Sequence, residues 1–210
     1  MSTADKLTAA LLRERLAGTK LALDPTNVML PPAIERWPDD MQKALTASLK
    51  PAGVLIPVIE HQLGLTVLLT RRAAELKHHA SQISFPGGRM EDGDVDIVAT
   101  ALRETHEEVG IAPADVSVLG YLEPMPTVTG YAVTPIVGLV APPAELTVDT
   151  TEVELAFEVP LSFLLDSSNA IPAERDFLGQ KVPIVEFRYD EHRIWGATAH
   201  MLIVLREKIL

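Results

Sequence analysis

Three glutamates in one short segment are the residues of this chain best placed to do chemistry. Glu104 and Glu108 lie four positions apart and Glu107 lies three from Glu104, so on a helix all three carboxylates can converge on one point. Clustered carboxylate oxygens suit hard divalent cations such as Mg²⁺ or Mn²⁺. The spacing therefore predicts a metal site. The alternative is a solvated acidic surface, since an exposed like-charged pair costs only about 0.2 to 0.5 kcal/mol.

The neighbours of these glutamates favour the metal site. The three carboxylates lie near the end of the expected helix, where its dipole disfavours anions, so a cation should compensate them. The fork of Arg103 could also hold one carboxylate bidentately and fix its orientation. Upstream, Gly87 and Gly88 let a loop approach the helix or a ligand phosphate without Cβ atoms in the way.

A helix must present these side chains, and the sequence predicts one from Ile97 to Val109. Asp94 or Asp96 can cap its start, and Gly110 follows its last turn. The apolar stripe of this helix consists of Ile97, Val98, Ala101, Leu102, Thr105 and Val109.

Short apolar runs rich in β-branched residues predict the rest of the fold. From Gly53, "GVLIPVIE" and "LTVLLT" flank the turn "HQLG" and indicate a hairpin. Further strands are predicted at "VSVLGYLE", "AVTPIVGLVA", "VELAFEVP" and "VPIVEFRY". The final segment "TAHMLIVLREKI" predicts a helix with Thr198 as its N-cap. The order predicts an α/β fold, a mixed sheet flanked by helices.

The N-terminal fifty residues have a different texture. Apolar positions from Asp5 to Ala17 recur at helical spacing, and Gly18 follows as a stop. The proline-rich stretch "ALDPTNVMLPPAIERWPDDM" then indicates an extended arm. We therefore expect residues 1–50 to form an N-terminal helix and arm, and residues 51–210 to form the main domain.

Charge and composition limit the partners of the protein. The formal net charge of −11 disfavours nucleic acid polymers and anionic membranes. The chain has no cysteine, no secretory signal pattern and no apolar run of membrane-spanning length, so we expect a cytoplasmic protein. A small anionic substrate is compatible with this charge if bound metal or local cations invert the sign at the site. A homodimer is compatible with the sequence.

The block Phe85-Pro86-Gly87-Gly88, followed by Arg103-Glu104, Glu107-Glu108 and Gly110-Ile111, resembles the Nudix box, G-x5-E-x7-R-E-U-x-E-E-x-G-U. The first glutamate of that pattern falls on Val95 here, and its first glycine on Arg89. The loop is one residue longer than the general box. This spacing is typical of a branch that resembles coenzyme A pyrophosphatases.

The upstream segment "LLTRRAAELKHHASQISFPGG" is similar to that branch, L-L-T-x-R-S-x3-R-x3-G-x3-F-P-G-G. Ala73, Lys77 and Ser81 replace its serine, second arginine and glycine. Later segments are also similar, so the resemblance covers roughly Gly53 to Leu205. Because Ala73, Lys77 and Ser81 depart from the branch pattern, other substrates remain possible: ADP-ribose, a nucleotide sugar, a dinucleotide or a damaged nucleotide. A ligand sensor without activity is the alternative from another class.

The resemblance implies a Nudix α/β/α sandwich that hydrolyses a small-molecule diphosphate, most simply coenzyme A or a derivative, with Mg²⁺ or Mn²⁺. It implies Glu104, Glu107 and Glu108 as catalytic metal ligands and Arg103 as their orienting residue, while the general base stays open between these glutamates and an acid elsewhere. We expect substrate contacts from Arg72, Lys77, Gly87, Gly88 and Arg89. Phe85, Tyr131 and Trp195 could stack on an adenine ring, although a core position is favoured for Trp195.

Overall fold

The fold was analysed in a computed structural model that describes residues 7–31, 34–75, 81–141, 146–177 and 179–210, without the side chain of Arg36. Its helices are α1 Ala9–Leu16, α2 Asp39–Thr46, α3 Ile97–Val109, α4 Leu161–Leu165 and α5 Gly196–Ile209. Short 3-10 turns occur at Ile34–Arg36, Pro113–Asp115 and Ser167–Asn169. None of the helices in the described ranges has the length and apolar character that a membrane span requires.

The strands form two sheets. The larger sheet contains β1 Lys50–His61, β2 Gly64–Arg72, β3 Ile83–Ser84, β4 Gly87–Arg89, β5 Val116–Tyr121, β6 Met125–Pro126, β7 Tyr131–Val140 and β8 Val153–Pro160. The smaller sheet contains β9 Ile171–Phe177, β10 Gln180–Tyr189 and β11 His192–Trp195.

The long strand β1 organises the larger sheet. It pairs antiparallel with β2, as the predicted hairpin requires, and parallel with β7 from Lys50 opposite Tyr131 to Ile59 opposite Val140. The main path runs β3-β2-β1-β7-β5, while β8 pairs with β2, β4 with β1 and β6 with β7. The predicted mixed sheet is therefore confirmed.

Helices cover both faces of this sheet because its central strands carry apolar side chains on both faces. On one face, Leu55 and Ile136 pack with Ala101 of α3. On the other, Ile56 and Val137 belong to a large cluster that includes residues of α1, α4 and α5. The predicted α/β sandwich, with a mixed sheet between helices, is confirmed by this layering.

The smaller sheet has more strands than the sequence predicted. Only β10 was indicated, by the run "VPIVEFRY", whereas β9 and β11 flank it on either side in antiparallel pairing. β11 runs directly into α5, whose first residue is Gly196, with Trp195 at the N-cap. The N-cap predicted at Thr198 is wrong: the buried hydroxyl of Thr198 donates to the carbonyl of Ile83, 3.0 Å away.

The N-terminal segment also differs in detail. The first helix begins at Ala9, capped by Thr8, and Leu12 and Leu16 are fully buried in the cluster shared with α5. α2 begins inside the stretch expected to be an extended arm. Pro38 at the N-cap and two aspartates in the first turn favour a helix start here, but the neighbouring prolines made the segment look irregular in sequence. The division at residue 50 stays a prediction.

Candidate active site

α3 has the bounds that the sequence predicts, and its two ends explain why. The Asp96 carboxylate accepts a hydrogen bond from the Ala99 N–H at 2.8 Å, and Gly110 ends the helix in the left-handed conformation with φ 79°. The helix lies directly on β1 at Gly53, where an added Cβ would come within 2.5 Å of the Ile97 carbonyl. This close contact places Glu104 and Glu108 beside β4.

The glycine loop forms β4 and sits against the same strand. Gly53 pairs with Gly88, and Val54 pairs with Gly87. Gly87 has φ 149°, and a Cβ at this position would lie 2.6 Å from the Val54 Cα. A Cβ on Gly88 would lie 2.6 Å from Glu104 Oε1. Both glycines are therefore required by close approach, one to the sheet and one to a candidate ligand.

Glu108 is the most enclosed of the three glutamates, with a side chain only 3% exposed. The Gly87 N–H donates to its Oε2 at 3.2 Å, and Arg72 Nη1 lies 3.4 Å from its Oε1. Burial raises the pKa of Glu108 to about 7, although Arg72 and the Gly87 amide both oppose that rise. The structure thus holds a carboxylate in a place where its negative charge is poorly solvated.

Arg103 connects most of the acidic groups. Its Nε and Nη2 donate to the two oxygens of Asp94 at 2.9 and 3.0 Å, which is a bidentate pair. Its Nη1 donates to Glu104 at 2.9 Å and to Glu107 at 3.0 Å. Nη2 also donates to the Arg89 carbonyl at 3.3 Å, so the same side chain fixes the glycine loop to the helix.

Asp94 is a site residue whose role the sequence did not reveal. It was considered as a helix cap, but that role belongs to Asp96. Its carboxylate instead takes the Arg103 fork and accepts from the Thr100 hydroxyl at 2.9 Å. The Arg103 hydrogen bond, against the effect of burial, holds the pKa of Asp94 well below its usual range, and Asp94 likewise raises the pKa of Arg103. The sequence did contain a hint. Val95 occupies the position of the first glutamate of the Nudix box, and Asp94 is the acid immediately before it.

Glu104 and Glu107 differ in their surroundings. The Glu104 side chain is 15% exposed and that of Glu107 is 56% exposed. Burial raises the pKa of Glu104, which the neighbouring Arg103 partly offsets. Glu152, immediately before β8, is a second acid that the sequence did not single out. Its negative charge raises the pKa of both Glu104 and Glu108, although burial is the larger cause of each rise.

The carboxylate oxygens of the three glutamates are suitable ligands for a hard cation, although the side chains contact other protein groups in the structure. Glu104 and Glu107 are directed toward Arg103, and Glu108 toward Arg72 and Gly87. Across the described ranges, no three His, Asp or Glu side chains form a ready-made metal cluster. Two desolvated carboxylates with raised pKa nevertheless provide oxygen donors whose charge a divalent cation would neutralise. The donor set therefore fits Mg²⁺ or Mn²⁺.

The cationic residues expected at the substrate have separate placements. Arg72 reaches Glu108, and its side chain is 24% exposed. The side chain of Arg89 is 70% exposed and pairs with Glu91 at 3.1 Å, while the backbone carbonyl of Arg89 accepts from Arg103. Lys77 lies outside the described residues.

A cavity of about 500 Å³ opens beside Glu108. Arg72 and Gly87 form part of its wall, and the other walls come from α2, the smaller sheet and α5. Its surface is mostly apolar, and its described lining contains no aspartate or glutamate although the chain carries 29 of them. The cavity can therefore accept an anionic ligand with an apolar body.

Of the three aromatic residues considered for stacking on an adenine ring, two line this cavity and one does not. Phe85 is buried and contributes to its wall, and Tyr131 packs against the main cluster. Trp195, for which a core position was favoured, is half-buried and lines the cavity, so that expectation is wrong.

The family is decided by comparison with known proteins. The model of the NUDIX domain matches residues 49–178. The chain belongs to the Nudix family. This Nudix chain is 42% identical over 167 residues to the Nudix hydrolase NudL of Photorhabdus laumondii, covering 80% of its own length and 89% of that protein. It is 38% identical over 186 residues to NudL of Pectobacterium atrosepticum, covering 86% and 94%.

A solved Nudix hydrolase from M. smegmatis, RenU, aligns with 56% of this Nudix chain and 74% of its own length, at 19% identity and a TM-score of 0.48. The predicted enzyme class, a Nudix diphosphatase, is confirmed by the family match and the NudL relatives. Nudix hydrolases act on small-molecule diphosphates and generally depend on divalent metal ions.

Proposed function

We propose that this Nudix hydrolase cleaves the diphosphate of coenzyme A or a derivative into 3′,5′-ADP and the 4′-phosphopantetheine portion, with Mg²⁺ or Mn²⁺ held by Glu104, Glu107 and Glu108. One observation carries the proposal: the buried end of the glutamate cluster meets, at Arg72 and Gly87, a mostly apolar cavity without acids in its described lining. A diphosphate at this junction would leave an elongated organic group to fill the cavity.

The bound cation would neutralise charge on the diphosphate and lower the pKa of an attacking water. The chain supplies positioning. Arg103 orients Glu104 and Glu107 while Asp94 holds its fork, and the Gly87 amide orients Glu108. Glu152 is our candidate for the general base, because it lies near Glu104 and Glu108 without belonging to the proposed metal ligands.

Arg72 and Gly88 would serve the substrate directly. Arg72 is a guanidinium at the junction of the glutamates and the cavity, where it can share its donors between Glu108 and a phosphate oxygen. Gly88 leaves the space beside Glu104 free of a Cβ. Lys77 and Arg89 remain predicted phosphate contacts from the sequence.

The experiment is a comparison of coenzyme A, dephospho-coenzyme A, ADP-ribose and a diadenosine polyphosphate at equal concentration, with Mg²⁺ and then Mn²⁺. We expect the highest specificity constant for coenzyme A. A much higher specificity constant for ADP-ribose or the dinucleotide would overturn the substrate assignment. It would also indicate that Ala73, Lys77 and Ser81 accompany a change of substrate. No cleavage of any compound while metal still binds would favour the ligand sensor.

Metal binding is tested separately by calorimetry. Glu104→Gln/Glu108→Gln removes two of the three proposed ligand charges, so we expect a large loss of Mg²⁺ or Mn²⁺ affinity. Unchanged affinity would contradict the metal site. The expected cytoplasmic location and homodimer are further predictions from the sequence, which cell fractionation and sedimentation analysis would check.

A further inference from the structure

The cavity carries a second cation far from the glutamates in sequence. Its described lining contains two arginines, Arg72 and Arg175. Arg72 reaches Glu108, so part of its hydrogen-bonding capacity is already used. His200 also lines the cavity, but burial lowers its pKa and favours the neutral ring. Arg175 is therefore the cavity cation with donors to offer a ligand.

Trp195 sets the orientation of Arg175. The guanidinium carbon of Arg175 lies 4.3 Å from the centre of the Trp195 ring, and both residues line the cavity. At this distance the guanidinium makes a cation–π contact with the face of the ring, and this contact needs no N–H hydrogen bond. The side chain is thus oriented without using its donors.

The acids around Arg175 are bound elsewhere. Glu174 pairs with Lys181 at 3.1 Å, and Asp176 accepts from the Gly179 N–H at 2.9 Å. Glu186, on the neighbouring strand, takes Arg188 and Arg193. Within the described part of the chain, no carboxylate lies within ion-pair distance of Arg175.

We propose that Arg175, oriented by Trp195, binds a second anionic group of the substrate, a phosphate monoester or a carboxylate carried by the organic group that enters the cavity. This proposal rests on the proposed function and names the residue that selects among diphosphates. For coenzyme A, the group is the phosphate monoester that dephospho-coenzyme A lacks. A planar guanidinium suits it because it can donate two parallel hydrogen bonds to a phosphate.

The test compares the wild-type enzyme with Arg175→Ala, Arg175→Lys and the control Lys181→Ala. The control also removes one positive charge from the smaller sheet, but Lys181 does not line the cavity. We expect the wild type to favour coenzyme A over dephospho-coenzyme A by about tenfold in kcat/KM, mostly through KM. Arg175→Ala should lose this preference because its kcat/KM for coenzyme A falls to about its value for dephospho-coenzyme A, Arg175→Lys should keep part of the preference, and Lys181→Ala should keep all of it.

A binding measurement separates this proposal from the proposed function. Calorimetry compares 3′,5′-ADP with AMP, which requires no turnover. A wild-type preference for 3′,5′-ADP that Arg175→Ala removes would support the role of Arg175 even if coenzyme A is not cleaved. If Arg175→Ala keeps the preference, or the wild type has none, Arg175 only packs on Trp195 and the proposal is wrong, whether or not coenzyme A is a substrate.

Discussion

Gly88→Ala tests the close contact between the glycine loop and Glu104. An alanine Cβ at this position would lie 2.6 Å from Glu104 Oε1, whereas ordinary contact begins at 3.4 Å. The carboxylate would therefore have to retreat by about 1 Å, and a misplacement of that size can cost about 100-fold in turnover. The backbone tolerates alanine because Gly88 does not have a positive φ.

The fold should survive this substitution. The obstructing atoms belong to the end of a flexible side chain, so Glu104 can move to another rotamer for about 1 kcal/mol. We expect kcat to fall about 100-fold, with the midpoint of thermal unfolding changed by only a few degrees. The assay is Mg²⁺-dependent hydrolysis of the best diphosphate in the substrate panel, alongside circular dichroism.

Gly93→Ala is the matched control. Gly93 lies in the connection that follows β4 and leads into α3, has no positive φ, and has open space where a Cβ would be added. It should keep nearly full turnover. Wild-type activity in Gly88→Ala would refute the placement of Glu104 in the site, and an equal loss in both variants would show that the loop, not the carboxylate, is responsible.

Three further predictions address the scaffold and the orienting network. Arg103→Ala should lose most turnover while circular dichroism shows a folded protein, because the carboxylates it orients lose their common donor; near-normal kcat would contradict this role. For buried Glu186, burial raises the pKa but hydrogen bonds from Arg188 and Arg193 outweigh it, so the folded pKa lies below the ordinary 4.5. Its stabilisation is present above pH 4.5 and is lost as pH falls through the folded pKa, so Glu186→Gln should lower the free energy of unfolding by about 1 to 2 kcal/mol at pH 7 and by progressively less in acid. Chemical denaturation at several pH values measures this, and a gap that grows in acid would reverse the assignment. Leu16→Ala should cost about 2 to 5 kcal/mol, because this leucine is fully buried in the main core, and a loss below 1 kcal/mol would place α1 outside the cooperative unit.

The central part of the fold was readable from the sequence because local signals and tertiary contacts agree there. The β1–β2 hairpin follows from two apolar runs around a short turn, and α3 follows from its stripe and its two caps. The edges were harder. β9 consists largely of exposed residues in the polar segment "IPAERDF", so it lacks the alternation that marks a half-buried strand. α5 begins at a glycine with φ 66°, two residues before the threonine that looks like a cap.

The candidate site was predicted as residue types but not as contacts. The sequence gives Arg103 and its glutamates, yet the bidentate partner Asp94 depends on how the loop before α3 folds back. Ser81 illustrates the converse. It replaces a glycine of the branch pattern and suggested a changed substrate signature, but its backbone has φ 58°, so this position retains a glycine-like conformation.

The parallel pairing of β1 with β7 has a consequence for how the molecule folds. Lys50 meets Tyr131 only after a chain of about 80 residues has closed into a loop, and non-local pairing of this kind slows folding. That loop contains helix α3 and the strands β2 to β6, among them the glycine loop at β4. The β1–β2 hairpin can form early from neighbouring residues, whereas the central parallel ladder must wait for the whole intervening segment. We expect the catalytic apparatus to mature late, so refolding followed by hydrolysis should lag behind refolding followed by secondary structure.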